Sequence, residues 1–518
     1  MKKGYKVVNS SLQTIFKSSL IVFIGIALSK ILAYVFRIII ARYYGPEEYG
    51  LYLLALMVIG WLGTFATLGL TEGVLRYISM FRGKNEHGKI RYLLSYTVII
   101  TSIIGFLAAI FLFFLSDFIS INIFHNPGLI LYLQVFSILI PIGILGNILL
   151  STIRAFEKVS WYSFIFNIFQ NVVKVLFLLI LIFAGFKNGA VMFSQFFTSI
   201  AVLLIGYFVL KFSVSLPKKT KEKDFDKIFL RNEIFSYSWP IMFYGIMASV
   251  LYWTDSFFIG YFLDASSVGI YNVALSLATL LAFAPELFMQ LFFPLINKEH
   301  ARKRTTAIRE ISKQVGKWIF IINLPLFILV MLFPGALIKI LFGSQYLIAA
   351  TNALRILAVG TFFSSMFVVS NNLLNMLGRS KLLLMNTLIV GIFNIIFDFI
   401  LIQIYGINGA AIATTCSFIL LGILLAAETK HYISFIPFRR KMLRILIVAI
   451  IPTILLVIAH NLIKITFFSM IYLSILFGIL YIVLIFATKC FDENDLTIIK
   501  TVKNKMKQYT FFGYSPFA

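Results

Sequence analysis

The chain has 518 residues, of which 60% are hydrophobic and only 13% are charged, and its net charge is +25. A soluble protein of this size needs more charge to cover its surface, so the composition excludes a soluble globular domain. Two cysteines and five scattered histidines exclude a disulfide framework and a histidine or cysteine metal cluster.

Long apolar runs divide the chain into fourteen predicted transmembrane helices, which makes it an all-α polytopic membrane protein. Each run approaches or exceeds the roughly 18 residues that are needed to cross about 30 Å of hydrocarbon. The first run is too long for a signal peptide and lacks a small-residue cleavage site, so we expect it to remain as a helix. In chain order the predicted spans are 18–41, 50–75, 92–115, 129–152, 161–184, 189–211, 234–260, 269–293, 316–333, 353–376, 383–404, 409–427, 442–461 and 467–488.

The charge of the connections alternates along the chain. Of the 45 Lys and Arg residues, 37 fall in one alternating set of connections and four fall in the other set. By the positive-inside rule, this bias places both termini in the cytoplasm of a multi-pass protein of the cell (plasma or inner) membrane. Since the positive charge serves topology and faces anionic lipid, it does not indicate nucleic-acid binding.

The two halves of the sequence repeat each other. The segment "YGLYLLALMV" (49–58) matches "VGIYNVALSL" (268–277) at an offset of 219 residues, and "NGAVMFSQFFTSI" (188–200) matches "NGAAIATTCSFIL" (408–420) at an offset of 220. We therefore predict two parallel six-helix repeats with two appended C-terminal helices, and a substrate path at the interface of the repeats. The predicted boundaries are 1–212 for the N-terminal lobe, 213–232 for a basic cytoplasmic linker, 233–436 for the C-terminal lobe, 437–490 for the appended helices and 491–518 for a cytoplasmic tail.

Apart from cations at the cytoplasmic ends of spans, which are counted with the connections, four cations fall within the predicted spans, namely Lys30, Arg37, Lys174 and Arg355. Lys30 and Arg37 are seven residues apart in "KILAYVFR", so they share one helix face, and Tyr34 lies between them. A charge in mid-membrane costs about 3 kcal/mol on insertion scales, so each cation should face a wet cavity or a partner. The alternatives are an internal ion pair and, for Arg37, snorkelling to the outer surface.

A second group of polar residues lies in the C-terminal half. Asn394 and Asp398 are four residues apart and share a helix face, Thr414 lies on the next span, and Asp255 lies in the outer half of span 7. Oxygen ligands that converge from three helices suit a hard monovalent cation better than a soft metal. Proton coupling through a carboxylate and structural pairing with an intramembrane cation remain as alternatives.

The segments "KILAYVFRIIIARYYGPEEYGLY", "LLNMLGRSK" and "YGINGAAIATT" resemble the polysaccharide-type (Wzx-like) flippases of the multidrug/oligosaccharidyl-lipid/polysaccharide exporter superfamily, which are related to lipid II flippases. The resemblance covers nearly the whole chain and depends on the order and spacing of these segments. It implies two six-helix lobes around a central cavity, alternating access, and a lipid-linked saccharide as cargo.

The resemblance also implies roles for the polar residues. A polyprenyl-diphosphate carrier is anionic, and ammonium and guanidinium groups bind diphosphate well. The residues expected to bind the substrate are therefore Lys30, Tyr34, Arg37, Lys174 and Arg355. The lipid II flippase branch has a sodium site, and the positions that match its pattern are Asp255, Asn394, Asp398, Thr414 and the carbonyl of Ala410.

The sequence thus predicts a secondary transporter that flips lipid-linked oligosaccharide from the cytoplasmic to the outer leaflet, coupled to a sodium or proton gradient. Because it contains no Walker-type phosphate loop, we expect no direct use of ATP and no cofactor beyond the coupling ion. The expected partners are the lipid-linked substrate and membrane lipid, with the chain acting as a monomer beside glycosyltransferases or a polymerase.

Two other functions compete with this prediction. A cation-coupled multidrug exporter of the same superfamily would need an acidic, aromatic cavity, which the mid-span cations oppose. A membrane glycosyltransferase or polymer ligase usually carries large outer loops with catalytic residues. Here the longest predicted outer loop, 334–352, contains Lys339 as its one charged residue, so we expect no catalytic residues and no enzyme activity.

Overall fold

The computed structural model describes residues 2–186, 189–214, 226–462, 466–488 and 490. Every regular element in these ranges is a helix. The predicted tail 491–518 and residues 215–225 of the predicted linker lie outside the described residues.

Within the described ranges, the first half of the chain forms eight α-helices. Short π-helical segments, 119–123 and 164–169, continue α3 and separate α5 from α6. The helices are α1 Lys2–Ala66, α2 Leu70–Gly83, α3 His87–Phe118, α4 Gly128–Ala155, α5 Val159–Ser163, α6 Gln170–Phe183, α7 Ala190–Ser213 and α8 Lys227–Phe262.

The second half forms nine more. A 3₁₀ turn, 279–282, joins the first two of these helices in the middle of one apolar stretch. The helices are α9 Ala265–Ala278, α10 Phe283–Ala301, α11 Thr305–Leu332, α12 Pro334–Leu341, α13 Leu347–Met376, α14 Ser380–Tyr405, α15 Ile407–Ile433, α16 Arg440–Leu462 and α17 Phe467–Ala487.

Thirteen helices in the described ranges are long and apolar enough to cross a membrane, which agrees with the predicted class of polytopic α-helical protein. The first of them, Leu28–Ala66, contains residues 28–41 of the first predicted span and most of the second. The two are joined through a break at Gly45, whose φ of 89° and ψ of −178° are not helical. Glycine tolerates this positive φ, and the following Pro46 suits the first turn of the next helical segment.

Two predicted boundaries are wrong. The second span was expected to run over 50–75, but the helix ends at Ala66, because residues 67–69 form a turn in which Gly69 has a φ of 68°. The short helix α2 then begins at Leu70. The connection expected as a loop over 334–352 contains α12, an eight-residue helix that begins at Pro334.

The chain divides into two compact units. Unit 1 consists of Met1–Ala274, Leu341–Ala353 and Gly391–Thr414, and unit 2 consists of Leu275–Ile340, Leu354–Val390 and Thr415–Ala518. The lobe boundaries that the sequence repeat suggests remain a prediction.

Within unit 1, α1 and α9 touch through their backbones. A Cβ atom added to Gly50 would lie 1.7 Å from the carbonyl oxygen of Ala265, and one added to Gly269 would lie 2.1 Å from that of Pro46. Gly50 and Gly269 are equivalent positions of the sequence repeat, since they are 219 residues apart. The two matching helices therefore meet at their matching glycines.

Within unit 2, the two C-terminal helices pack against α11. Phe320 and Leu324 of α11 share a buried cluster with Ile445 of α16 and with Tyr481 of α17. The hydroxyl of Tyr481 also donates a hydrogen bond to the carbonyl oxygen of Ile321 at 3.0 Å. Apolar packing together with this bond ties the appended helices to the rest of the unit.

Candidate functional site

Lys174 lies inside unit 1, on α6, in a cage made of aromatic side chains. Its Nζ donates a hydrogen bond to the hydroxyl of Tyr52 at 2.6 Å and lies 4.3 Å from the ring centroid of Phe36. The Tyr52 hydroxyl in turn donates to Oε1 of Gln195 at 3.2 Å. Lys174 forms no ion pair within the described residues, so the hydroxyl and the ring faces are what stabilise its charge.

Arg37 on α1 is the second cation of this region, and we call Arg37 and Lys174 the basic cluster. Its guanidinium carbon lies 5.9 Å from the ring centroid of Tyr34, and it interacts electrostatically with Lys174. Lys30, Tyr34 and Arg37 are all half-buried, which fits one stripe of α1 that is neither packed in a core nor fully exposed. The structure therefore places Arg37 within electrostatic range of Lys174 and keeps Lys30 and Tyr34 on the same helix face as Arg37.

Arg355 is placed differently. It belongs to unit 2, where its side chain is exposed and its Nε donates to the carbonyl oxygen of Met331 at 3.4 Å. A hydrogen bond this long, on an exposed side chain, stabilises little.

The acidic group of unit 1 converges from four helices. Thr414 on α15 donates to Oδ2 of Asp255 on α8 at 2.6 Å, and the hydroxyl of Tyr271 on α9 donates to the same oxygen. Asp398 on α14 is fully buried and its carboxyl group interacts with that of Asp255. Within the described residues, neither oxygen of Asp398 has a hydrogen-bond donor.

Two carboxyl groups that meet inside a low-dielectric membrane protein repel each other strongly when both are charged. A cation or a proton between them removes the repulsion. In the described part of the chain, the hydrogen-bond partners of Asp255 are the hydroxyls of Tyr271 and Thr414, and Asp398 interacts with Asp255. The oxygen donors present fit a hard cation.

The two remaining predicted ligands occupy neighbouring turns of the same helices. Asn394 lies one turn before Asp398 on α14 and is half-buried. Ala410 lies one turn before Thr414 on α15 and is fully buried. The structure thus brings Asp255, Asp398 and Thr414 together, with the other two positions adjacent in the helices.

Tyr271 is a member of this group that the sequence prediction missed. A tyrosine within an apolar run reads as a core residue, but the repeat offset of 219 pairs Tyr271 with Tyr52. Each of these tyrosines uses its hydroxyl to hold a charged side chain, Lys174 in the first half and Asp255 in the second. The offset of 220 likewise pairs Lys174 with Asn394. Reading the repeat position by position would have found Tyr271.

Comparison with known proteins gives two matching family models. The model described as "Polysaccharide biosynthesis protein" matches residues 15–300, and the model described as "MatE" matches residues 240–400. The chain is 24% identical to the "Putative O-antigen transporter" of Shigella flexneri over 418 residues, which are 80% of this chain and 97% of the relative. It is 27% identical to the "Probable low-salt glycan biosynthesis flippase Agl15" of Haloferax volcanii over 255 residues, 49% of this chain and 51% of the relative.

Among solved structures, one described as "Lipid II flippase MurJ, inward closed conformation" matches with a TM-score of 0.71 at 18% sequence identity. The match covers 90% of this chain and 98% of that chain. At this identity the likeness shows a common all-helical fold, while the count of fourteen helices and their arrangement as two repeats remain predictions.

Proposed function

Because the chain belongs to the polysaccharide biosynthesis protein family, we propose that it is a flippase that carries lipid-linked saccharides from the cytoplasmic to the outer leaflet by alternating access. Its apolar helices and its relatives make it a multi-pass membrane transporter of the Wzx-like group rather than an enzyme. The relatives whose names state a cargo are named for O-antigen and for glycan.

The proximity of Arg37 and Lys174 is the observation that carries this proposal. Two cations that lie close together in a membrane-embedded region repel each other, and Lys174 has no ion pair in the described residues to offset the cost. A diphosphate brings negative charge to this region and accepts hydrogen bonds from guanidinium and ammonium groups. An organic cation, the cargo of a drug exporter, would be repelled.

The proposed direction of transport follows from the charge of the connections. Since the Lys- and Arg-rich connections belong on the cytoplasmic side, both termini are cytoplasmic. The substrate head enters the basic region from that side while the polyprenyl tail remains in lipid. Rocking of one half against the other then exposes the head outside.

We further propose that a cation gradient, of sodium or protons, drives the cycle through the acidic group. Asp255, Asp398 and Thr414 supply oxygen donors, and the two carboxyl groups need a positive charge between them. The repeat supports the same assignment, because Lys174 places a fixed ammonium at the position that corresponds to Asn394. A bound cation would supply the charge in the second half that the lysine supplies in the first.

Transport is tested with the purified chain in proteoliposomes that contain a fluorescent, short-chain polyprenyl-diphosphate saccharide. An impermeant reductant that quenches only the outer leaflet reports transfer between the leaflets. We expect transfer by the wild type and a loss of about tenfold in Arg37→Ala, because a hydrogen bond to a charged group contributes about 1.5 kcal/mol or more. Arg42→Ala is the matched control, since Arg42 is exposed near the end of the same helical segment.

The proposal fails if the wild type transfers no faster than empty liposomes. If Arg37→Ala and Arg42→Ala transfer the substrate at the same rate, Arg37 does not belong to the proposed substrate site.

Coupling is tested in the same vesicles by imposing a sodium gradient and a pH gradient separately. Asp398→Asn should remove the response to the driving gradient, whereas Asp117→Asn, at an exposed carboxylate of α3, should keep it. If neither gradient changes the rate at which the wild type transfers substrate, the proposed coupling is refuted, but the proposed transfer activity is not.

A further inference from the structure

Three side chains of α3 and α8 form a cluster in unit 1 that the proposed transport does not use. The exposed guanidinium of Arg231 on α8 lies over two rings of α3, with its carbon 5.6 Å from the ring centroid of Tyr92 and 5.0 Å from that of Tyr96. The two rings are stacked, with centroids 6.2 Å apart and an angle of 11° between their planes. Nε of Arg231 also donates a hydrogen bond to the hydroxyl of Tyr92. We call Tyr92, Tyr96 and Arg231 the interfacial cluster.

The interfacial cluster lies where two predicted spans begin. Tyr92 is the first residue of the predicted span 92–115. Arg231 precedes the predicted span 234–260 by three residues, which is about 4.5 Å of helix. Tyrosine is enriched at this depth, where its ring contacts hydrocarbon and its hydroxyl reaches the headgroups. The cluster is therefore at the level of the lipid headgroups.

Beyond the cluster, both helices carry exposed apolar side chains. On α3, Ile99 and Ile103 lie one and two turns further into the span, and on α8, Phe235 and Trp239 do the same, so each pair shares a helix face with the cluster. These four side chains are between 46% and 60% exposed. Apolar surface at this depth is covered by acyl chains in a bilayer, so a headgroup at the cluster would have its own chains alongside it.

Positive charge exceeds negative charge around the cluster. Arg91 and Lys227 are exposed next to it, one on each helix. The carboxylate of Asp226 accepts hydrogen bonds from two backbone amides of α8 at 2.8 and 3.0 Å, and that of Glu86 forms an ion pair at 3.1 Å at the start of α3. Glu233 lies on a different face of α8 from Arg231, because helix residues two apart do not share a face. An anion is therefore attracted to this surface.

The chemistry of the cluster suits a phosphate. A guanidinium group has five N–H donors in one plane, and Nε of Arg231 uses one of them on Tyr92. The stacked rings hold the other donors in a fixed plane, so binding costs less side-chain entropy than it would for a freely moving arginine. The amine or choline of a zwitterionic headgroup would meet the surrounding positive charge, whereas an anionic headgroup has no cation to be repelled.

We propose that the interfacial cluster binds the phosphate of an anionic phospholipid whose acyl chains lie along the exposed apolar side chains of α3 and α8. By the proposed topology this lipid belongs to the cytoplasmic leaflet, since the connections before both helices are among the Lys- and Arg-rich ones. The binding itself does not depend on the flippase function. The occupant is a lipid of the surrounding membrane rather than the cargo, because the apolar surface beside the cluster is of the kind that membrane lipid covers.

Trp239 provides a fluorescent probe beside the site. The full-length chain, with its other four tryptophans replaced by phenylalanine, is reconstituted into phosphatidylcholine vesicles. Dibrominated phosphatidylglycerol and dibrominated phosphatidylcholine, which quench tryptophan at short range, are compared at equal mole fractions. We expect the anionic lipid to bind about fivefold more strongly, the factor expected from one arginine at a membrane surface. Native mass spectrometry of the unmodified chain with the same two lipids gives this ratio independently.

Variants locate the preference. Arg231→Gln should bring the ratio to about one, and Tyr96→Phe, which keeps the ring and removes the hydroxyl, should lower it about twofold. Arg379→Gln is the matched control, since Arg379 is also exposed and its guanidinium carbon lies 4.4 Å from the ring centroid of Tyr432, in unit 2. This control should keep the ratio of the wild type. If Arg231→Gln does not fold, Tyr96→Phe decides.

The inference is overturned if the two brominated lipids quench equally, or if Arg231→Gln and Arg379→Gln change the ratio alike. It is also overturned if polyprenyl phosphate displaces brominated phosphatidylglycerol at a far lower mole fraction than unbrominated phosphatidylglycerol does, because the cluster would then bind the carrier of the cargo. The transfer assay is separate from these measurements. Selective lipid binding without transfer would keep this site and refute the proposed function, and transfer without selective binding would do the reverse.

Discussion

Gly50→Ala tests the backbone contact that joins α1 to α9 in unit 1. A Cβ at this position would stand 1.7 Å from the carbonyl oxygen of Ala265, whereas contacts under 3.0 Å are essentially never seen, so the helices must separate by the missing 1.3 Å. A helical carbonyl cannot swing aside as a side chain can. Overpacking of this kind costs about 1–3 kcal/mol, against a gain of about 1 kcal/mol from replacing a helical glycine by alanine.

Gly63→Ala is the matched control, because Gly63 lies on the same helix and a Cβ there would meet nothing within 4 Å. The control should show only the gain, so the two variants should differ in unfolding free energy by the overpacking cost, about 1–3 kcal/mol. Thermal unfolding of the purified proteins measures this difference. Gly269→Ala, which meets Pro46, should behave like Gly50→Ala, and equal melting temperatures for the Gly50 and Gly63 variants would refute the contact.

The remaining predictions concern single side chains. Lys174→Met should slow substrate transfer about tenfold yet leave the melting temperature unchanged or raised, because an apolar isostere removes a buried charge at no packing cost; a large loss of stability would contradict this. Arg355→Ala should change the unfolding free energy by less than about 0.5 kcal/mol and leave the rate of substrate transfer unchanged. A clear loss of transfer would show that Arg355 takes part in substrate binding after all. Gly69→Ala should destabilise by about 2–5 kcal/mol, since Gly69 has a φ of 68° and its Cβ would lie 2.1 Å from the carbonyl oxygen of Ser238. Gly83→Ala, with open space around it, is the comparison in the same melting experiment.

The membrane helices could be predicted from hydropathy because the bilayer requires long apolar segments whatever their packing. Their interruptions could not. The turn at 67–69 lies in an apolar run and depends on a left-handed Gly69. A hydrophobicity average over a long window cannot detect an interruption of three residues. The continuation of the first helix through Gly45 could not be predicted either. The segment "GPEE" has the composition of a loop, but the helical backbone is interrupted there at Gly45 alone.

The candidate cation ligands could be predicted one helix at a time but not as a group. The spacing of Asn394 and Asp398 fixes their shared face, which is a local property of any helix. The contact between Asp255 and Thr414 joins residues 159 positions apart, and the packing of four helices determines it. Tyr271 was missed because its role depends on that packing, and only the internal repeat gives a sequence signal for it.

The repeat also suggests which of the two sites would respond to a gradient in the proposed coupling. In the first half, a lysine ammonium is held by Tyr52, and in the second, the matching Tyr271 holds a carboxylate beside Asp398. A tethered ammonium cannot dissociate, so the first half has a permanent charge, whereas a site of carboxylates can load and release a cation as the gradient dictates. Asp398→Asn should therefore abolish the gradient response of transport, while Lys174→Met should slow transport and keep that response. Loss of the gradient response in both variants would mean that the two sites act as one unit, and the proposed division between a fixed and an exchangeable charge would be wrong.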